Sequence, residues 1–208
     1  MTEFSELVRT RRSVRDYLGG VVIEDEELTA LFAEVSQAPS AFNLQHWRFV
    51  VVRQTDRKEV LKGLCYGQGQ IQSCSALVVV CGNLKAHEAS DAIYAHESEL
   101  AKRKFLPMIK SIYADDDSFQ REEAIRGASL AGMCLMFSAL NRGWDTGPMI
   151  GFDKDGVSKV LNLPGEIIPV MMITIGKRKS SEEPRPFRLS VSDIVTLENY
   201  NGPRLGIE

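Results

Sequence analysis

Apolar residues recur along the chain at two spacings, one typical of helices and the other of strands. The clearest helical stretch carries Leu28, Leu31, Phe32 and Val35 on one face, behind an acidic start at 24–27. Continuous β-branched runs at 48–53 and 76–81 predict buried strands. Further helices are predicted at 4–8, 55–64, 119–141 and 153–161, and a third strand at 167–175.

Small and polar residues predict where several elements begin and end. Thr55 and Ser118 are the expected N-caps of their helices, and Gly143 is expected to close the long one. The dipeptide Gly147-Pro148 predicts a turn. The polar segment 85–118 predicts helices that are mostly exposed.

The order of these elements predicts the fold class. Strands and helices are mixed without strict βαβ spacing, which favours an α+β fold. A chain of 208 residues is long enough for one well-buried domain. Residues from about 180 to 208 lack an amphipathic pattern, so we expect a single domain over 1–208 that ends in an extended arm lying on another surface.

Composition narrows the class of protein. The hydrophobic share of 44% and the charged share of 25% are typical of soluble globular domains, and the net charge of -3 gives no overall field for nucleic acid or an anionic membrane. The apolar run 124–140 is short and rich in small residues, which favours a buried helix over a membrane span. Four cysteines without a CxxC pair, and a first segment without a secretory pattern, predict reduced thiols in a cytoplasmic protein.

Two basic segments could bind a phosphate group. Arg11, Arg12, Ser13 and Arg15 combine three guanidiniums with a hydroxyl, and Arg11 and Arg15 would share one face if the first helix continued. Lys177-Arg178 follows the last predicted strand and could converge on the same group. A solvated basic surface is the alternative for both segments.

Two further segments could lie against a planar heterocycle. Pro39, Ser40, Asn43 and Gln45 could read a polar ring edge, although ordinary turn chemistry gives the same composition. In the segment 146–151, glycine and proline would let the backbone of Pro148, Met149, Ile150 and Gly151 lie close to a flat ligand, with N–H groups available from all but the proline. The alternative is that the segment simply forms a loop. Gly67-Gln68-Gly69 lacks the third glycine of a dinucleotide loop, and His87-Glu88 lacks the second histidine of a zinc motif, so no metal site is predicted.

The order of the four segments is more specific than any one of them. RRSVRDY at 11–17, PSAFNLQHW at 39–47, GPMIGF at 147–152 and IGKR at 175–178 together resemble the nitroreductase family of flavoproteins. The resemblance implies a nitroreductase-like α+β fold, with a central mixed or antiparallel sheet flanked by helices. It also implies a homodimer with FMN at the interface, a C-terminal arm that wraps the partner subunit, and a place for the small-residue helix 124–140 in the dimer contact.

The resemblance also implies a role for each segment. Arg11, Arg12, Ser13 and Arg15 would hold the FMN phosphate and pyrimidine edge, and Lys177 and Arg178 would complete the phosphate site. Pro39, Ser40, Asn43 and Gln45 would reach the same flavin from the partner. Pro148, Met149, Ile150 and Gly151 would lie against the isoalloxazine, with a backbone N–H near Ile150 directed at flavin N5.

The implied activity is ping-pong hydride transfer from NAD(P)H through FMN to a nitroaromatic, quinone or similar small acceptor, without a catalytic side-chain acid or base. Dehalogenation, reduction of activated alkenes and flavin fragmentation are alternatives within the fold, and a non-catalytic flavin-binding module is another. Two departures from the family pattern are expected to alter the acceptor pocket: His46 replaces a common proline, and Ile150 stands where several members carry an acid. Tyr94, Phe105 and Tyr113 either border that pocket or are scattered exposed aromatics.

Overall fold

Four strands and nine helices account for the regular structure within residues 3–180 and 184–206, the part of the chain that this computed structural model describes. The strands are β1 (Trp47–Val52), β2 (Ala76–Asn83), β3 (Asp145–Met149) and β4 (Ile167–Gly176). The helices are α1 (Phe4–Thr10), α2 (Asp25–Val35), α3 (Thr55–Leu64), α4 (Gln70–Ser73), α5 (Ser90–Ile93), α6 (Glu99–Tyr113), α7 (Asp117–Asn141), α8 (Lys154–Val160) and α9 (Val191–Ile194). Short 3-10 turns lie at Ala41–Asn43 and Ala86–Ala89.

The strands form one antiparallel sheet in the order β1-β2-β4-β3. Alternate residues of β2 point to opposite faces, as the geometry of a strand requires. Val78 and Val80 join a core with residues of α2 and α7, whereas Leu77 and Val79 join a second core with residues of α3 and α8. The sheet therefore lies between two layers of helices, and the predicted α+β class is confirmed.

The small residues of α7 face this chain's own sheet. A Cβ atom added to Gly82 of β2 would lie 2.7 Å from the backbone oxygen of Ala124, and one added to Gly132 would lie 3.1 Å from Met171 Sδ. The small residues of α7 therefore admit β2 and β4 of the same chain, while the place of this helix in a dimer contact stays a prediction. The outward row of α7 instead carries larger apolar residues, among them Ile125, Leu130 and Met133.

By length and composition α7 could also cross a membrane, but 56% of its most apolar window is buried inside the fold. The core helix of a soluble protein has the same properties, so this feature gives only weak support for a membrane span.

Three predicted boundaries differ from the structure. Gly147-Pro148 lies within β3 rather than in a turn, and proline is tolerated there because β3 is an edge strand. Thr55 is already helical, since Gln54 holds the N-cap position of α3. Asp116 rather than Ser118 caps α7, and its side chain accepts the Phe119 N–H at 2.8 Å. Gly143, with φ +73°, follows the end of α7 as predicted.

Residues 86–113, here called the helical lobe, form a small core of their own. The segment is helical as predicted, but it is less exposed than expected, because Tyr94, Ile109 and Tyr113 pack with Leu44. Tyr94 and Tyr113 are only 8% and 0% exposed. They are neither scattered surface aromatics nor part of the cavities described below.

The arm is described from 184 to 206, since 181–183 and 207–208 of the predicted arm lie outside the described residues. In that part it carries one short helix, α9, and one isolated bridge between Thr196 and Arg204. Its large apolar side chains are exposed, including Phe187 and Tyr200. The arm therefore adds little to the core of its own chain.

Candidate functional site

Two cavities lie side by side along the segment Ser13–Arg15, which lines both. The first, of about 440 Å³, has six arginines among its lining residues: Arg11, Arg12, Arg15, Arg178, Arg185 and Arg188. The second, of about 260 Å³, is lined by Gln68, Gln70 and the stretch 147–151. A ligand with an anionic end and a flat end could extend through both.

The segment 11–17 is held in place by β3 and β4. Helix α1 ends at Thr10, and the Val14 N–H donates to Thr146 O at 2.9 Å. Tyr17 is buried, with its hydroxyl 2.8 Å from Thr174 Oγ1. The first helix therefore does not continue to Arg15, and Arg11 and Arg15 share no helical face. Both still line the first cavity, as does every residue from 11 to 16.

Gly147 allows this segment to lie so close to β3. A Cβ atom at position 147 would meet the Val14 backbone oxygen and would lie 2.7 Å from Thr174 Oγ1. The glycine is thus required for a close approach between backbones. The position of Ser13 and Arg15 between the two cavities depends on it.

Positive charge dominates the first cavity. The Arg11 guanidinium is partly buried, and its Nη1 has no hydrogen-bond partner among the described residues. Burial, together with the neighbouring Arg185, Arg188 and Arg12, lowers the pKa of Arg11. A buried donor without an acceptor costs free energy, and guanidinium groups match phosphate oxygens, so this cavity fits a phosphate group.

Arg185 and Arg188 come from the arm and were missed by sequence reasoning. The Arg185 guanidinium donates to the carbonyl oxygens of Val8, Arg9 and Arg11 at 3.0, 2.8 and 2.9 Å. The last carbonyls of a helix lack partners within it, so Arg185 fastens the arm to the end of α1. The only sequence signal was two arginines, separated by Pro186 and Phe187, in a tail without periodicity.

The predicted basic pair at 177–178 is divided by the structure. Arg178 lines the first cavity, and its side chain donates to the Asp145 carboxylate, with Nε at 2.8 Å from Oδ1. Lys177 is not among the lining residues. Its Nζ donates to Gly143 O and lies 4.1 Å from the centroid of the Trp144 ring.

A chain of amides borders the second cavity. Gln70 Nε2 donates to Gln68 Oε1 at 2.9 Å, and Gln68 Nε2 donates to Gly151 O at 2.9 Å. Met149 is buried beside Gln70, whereas Ile150 is 76% exposed. Sequence reasoning considered Gln68 only within a failed dinucleotide motif, because its contact with Gly151 joins residues far apart in the chain.

The loop that contains Pro39, Ser40, Asn43 and Gln45 lies outside the linings of both cavities. Its backbone is unusual, since Phe42, Asn43 and Gln45 have φ of 51°, 55° and 49°. Such left-handed residues cost about 1 kcal/mol or more each when they are not glycine. The Ser40 hydroxyl accepts the Gln45 N–H at 2.9 Å, which helps to fix this shape.

His46 is fully buried rather than on the surface of a pocket. Its Nε2 lies 3.2 Å from the Tyr113 hydroxyl, and burial lowers its pKa to about 4, with smaller effects from His87 and Arg48. The imidazole is therefore neutral at physiological pH. It lies beneath the loop and the helical lobe, where it contacts other side chains and no solvent.

The four cysteines are free, and three are buried. Burial raises the pKa of both Cys65 and Cys74 to about 11, which leaves them as unreactive thiols. Within 3–180 and 184–206, no group of three His, Cys, Asp or Glu side chains is placed to hold a metal ion.

Known proteins are similar to this chain in sequence and in fold. The model of the nitroreductase family matches residues 8–177. The Bacillus subtilis protein MhqN, named as an NAD(P)H nitroreductase, is 43% identical over 203 residues, which cover 94% of this chain and 98% of that protein. A nitroreductase from Exiguobacterium sibiricum, solved in complex with FMN, has a TM-score of 0.87 and 32% identity, and the match covers 94% of this chain and 97% of that one.

A third relative has a different activity in its name. The CLA biosynthesis enone reductase of Lactiplantibacillus plantarum is 31% identical over 196 residues, which cover 88% of both chains. Each of these matches spans most of the chain, as does the family model. The chain therefore belongs to the nitroreductase family and is an NAD(P)H-dependent oxidoreductase.

Proposed function

We propose that this protein binds FMN across the two cavities and uses it to reduce a small acceptor with NAD(P)H. The observation that carries the proposal is the cluster of guanidiniums, one with a buried unpaired nitrogen, beside an open strand edge. FMN has a phosphate for the first feature and a flat ring for the second. The FMN complex of the Exiguobacterium relative supports the assignment.

In this proposal the first cavity holds the phosphate. Arg11, Arg12, Ser13 and Arg15 contact it as the family resemblance implies, and Arg178, Arg185 and Arg188 add charge from the other walls. Lys177 lies beside Trp144, so we assign its expected role to the two arginines of the arm. Asp145 holds the Arg178 guanidinium in a fixed orientation.

The second cavity holds the ring. Pro148, Met149, Ile150 and Gly151 lie along one wall, and the Ile150 N–H is the donor expected at the reactive edge. Gln68 and Gln70, positioned by their amide chain, face the polar edge of the ring. Pro39, Ser40, Asn43 and Gln45 lie elsewhere on the chain and would act on the flavin of a partner subunit.

The bound FMN would supply the redox chemistry, taking hydride from NAD(P)H and passing it to the acceptor. We infer a ping-pong order, in which both substrates use the exposed face at Ile150 in turn. The chain binds and orients both, and no side-chain proton donor is needed at the reacting atoms. The excess of guanidiniums stabilises negative charge on the cofactor.

We also propose a homodimer. Phe4, Val8, Leu130 and Met133 are exposed apolar residues of α1 and α7, and Phe4 contacts Phe137 with ring centroids 5.3 Å apart. The exposed apolar residues of the arm need a further surface, which a partner subunit would offer. The free thiols fit a reducing compartment such as the cytoplasm.

The first test is the visible spectrum of the purified protein, followed by anaerobic addition of NADH or NADPH. We expect a flavin spectrum that bleaches rapidly and recovers when a quinone or nitroaromatic is added. Protein that takes up no added FMN would refute the cofactor assignment, and FMN that stays oxidised with both donors would leave a non-catalytic flavin-binding module.

Reduction of an activated alkene is the second candidate, because the enone reductase relative is similar over most of its length. A comparison of kcat/KM for an enone, a quinone and a nitroaromatic separates the two candidates. A preference for the enone by tenfold or more would favour the second.

A further inference from the structure

The loop Ser40–Gln45 is tied to the helical lobe by two tyrosine hydroxyls. Tyr94 of the lobe donates to Phe42 O at 3.2 Å, and the Tyr113 hydroxyl lies 3.2 Å from His46 Nε2 at the base of the loop. Leu44, between these two points, is 1% exposed and packs into the core of the lobe. The contacts therefore reach both ends of the left-handed stretch.

Tyr113 is itself rigidly held. The His87 ring stacks on it with centroids 5.0 Å apart, and Phe119 meets it edge-on at 5.0 Å. The Gln120 side chain donates to Tyr113 O at 2.7 Å. A hydroxyl so confined can fix the position of the imidazole that it contacts.

The other side of His46 is set by α7. A Cβ atom at Gly127 would lie 3.3 Å from both His46 Cβ and His46 Nδ1, so the imidazole fits between the helix backbone and Tyr113. Its Nδ1 has no hydrogen-bond partner among the described residues, which leaves Tyr113 as the polar contact that orients the ring. In this chain a histidine thus connects the loop to the lobe.

We propose that Tyr94, Tyr113 and His46 are positioning residues that hold the loop Ser40–Gln45 in the left-handed backbone conformation in which it binds its ligand. This inference rests on the proposed function, in which that loop contacts the flavin of a partner subunit. Without the two tyrosine hydroxyls the loop relaxes toward ordinary backbone angles, since positive φ is unfavourable for Phe42, Asn43 and Gln45. The helical lobe then acts on the flavin through the loop, without touching it.

Tyr94→Phe, Tyr113→Phe and the double variant test the proposal, because each substitution removes only one oxygen atom. We expect the FMN dissociation constant to rise about fivefold for each single variant and about twentyfold for the double variant. Tyr66→Phe is the matched control, since Tyr66 is 77% exposed. Gly127→Ala should also raise the FMN dissociation constant, because the added methyl group displaces His46 while both tyrosine hydroxyls are kept.

Amide hydrogen exchange supplies a readout that does not need FMN. The Asn43 and Gln45 N–H groups donate to Ser40 O at 3.1 Å and to Ser40 Oγ at 2.9 Å, and their exchange should accelerate in the double variant more than that of the β2 amides. Unchanged exchange in the loop and an unchanged FMN dissociation constant would overturn the positioning role. Wild-type protein that binds no FMN would refute the proposed function instead, while the exchange result would still decide whether the tyrosines hold the loop.

Discussion

Asp145 and Arg178 face each other at the end of the β3–β4 ladder, where one carboxylate accepts the Arg178 backbone N–H at 3.0 Å and its side-chain Nε–H at 2.8 Å. Both side chains are largely buried, at 12% and 22% exposed. The pair therefore joins the strand edge to the wall of the arginine-lined cavity.

Removing this carboxylate charge should destabilise the fold. We expect Asp145→Asn to lower the free energy of unfolding by about 2 kcal/mol, because a charged hydrogen-bond partner of a largely buried guanidinium is lost. Denaturant titration measures the change. Asp91→Asn is the control, since its pair with Lys110 is exposed and should contribute less than about 1 kcal/mol. Equal effects of the two substitutions would contradict the role of the buried pair.

Arg11→Ala tests the phosphate site. The substitution removes a guanidinium with a buried unpaired nitrogen, and it should weaken FMN binding by about 1.5–3 kcal/mol if that group bonds a phosphate oxygen. Fluorescence titration of the apoprotein gives the dissociation constant. Arg57→Ala, which removes a guanidinium that donates to Val160 O on another part of the surface, should leave it unchanged. An unaltered constant in Arg11→Ala would remove Arg11 from the site.

Gly147→Ala tests the close approach between β3 and the segment 11–17. The added methyl group would meet the Val14 carbonyl, so we expect a loss of about 1–3 kcal/mol of stability together with weaker FMN binding. Gly165→Ala is matched to it, because a Cβ atom there has no neighbour within 4 Å. Thermal unfolding and FMN titration of both variants decide the matter, and a Gly147→Ala protein with wild-type values would show that the segment has room to move.

Leu130→Glu tests the proposed dimer. Leu130 lies on the outward row of α7 and is 42% exposed, so a carboxylate there costs little in a monomer but would be buried in a dimer. Sedimentation should show monomers for this variant and dimers for Val60→Glu, which changes a similarly exposed residue of α3. A Leu130→Glu dimer of wild-type stability would place the interface elsewhere.

The lowered pKa of the buried His46 predicts that the protein loses stability in mild acid. Burial lowers its pKa from 6.5 to about 4, so between these values the unfolded chain binds a proton that the folded chain does not. The free energy of unfolding should therefore fall as the pH falls from about 6.5 to 4, by up to about 1.4 kcal/mol per pH unit from this residue. His46→Phe should flatten that slope, and His96→Phe, which changes an exposed imidazole, is the control. A wild-type slope in His46→Phe would mean that other groups cause it.

Periodic sequence patterns predicted the central elements well. The β-branched runs of β2 and β4 and the apolar spacing of α2 determine their structure locally, because burial on one or both sides dictates the residue types. β3 was missed since Gly147-Pro148 has the composition of a turn, and only its pairing with β4 makes it a strand.

Some residues of the candidate site could be predicted from local sequence motifs, and others could not. Arg11 to Arg15 and the stretch 148–151 were found from local motifs, and the structure places both at the cavities. Arg185, Arg188 and Gln68 reach the cavities through contacts between distant parts of the chain, which no local pattern records. His46 was recognised as a departure, but its burial depends on Tyr113 and Gly127, which are distant in sequence.

The contact between Arg185 and Arg11 O spans 174 residues along the chain. Joining residues of such high sequence separation costs the entropy of closing the intervening loop. The arginine-lined cavity combines residues from near both ends of the chain, so a nascent chain that lacks the arm has no complete site for the proposed ligand. A ligand that binds only the native state raises the stability of that state by mass action, so the proposed FMN would stabilise the junction between the two ends of the chain.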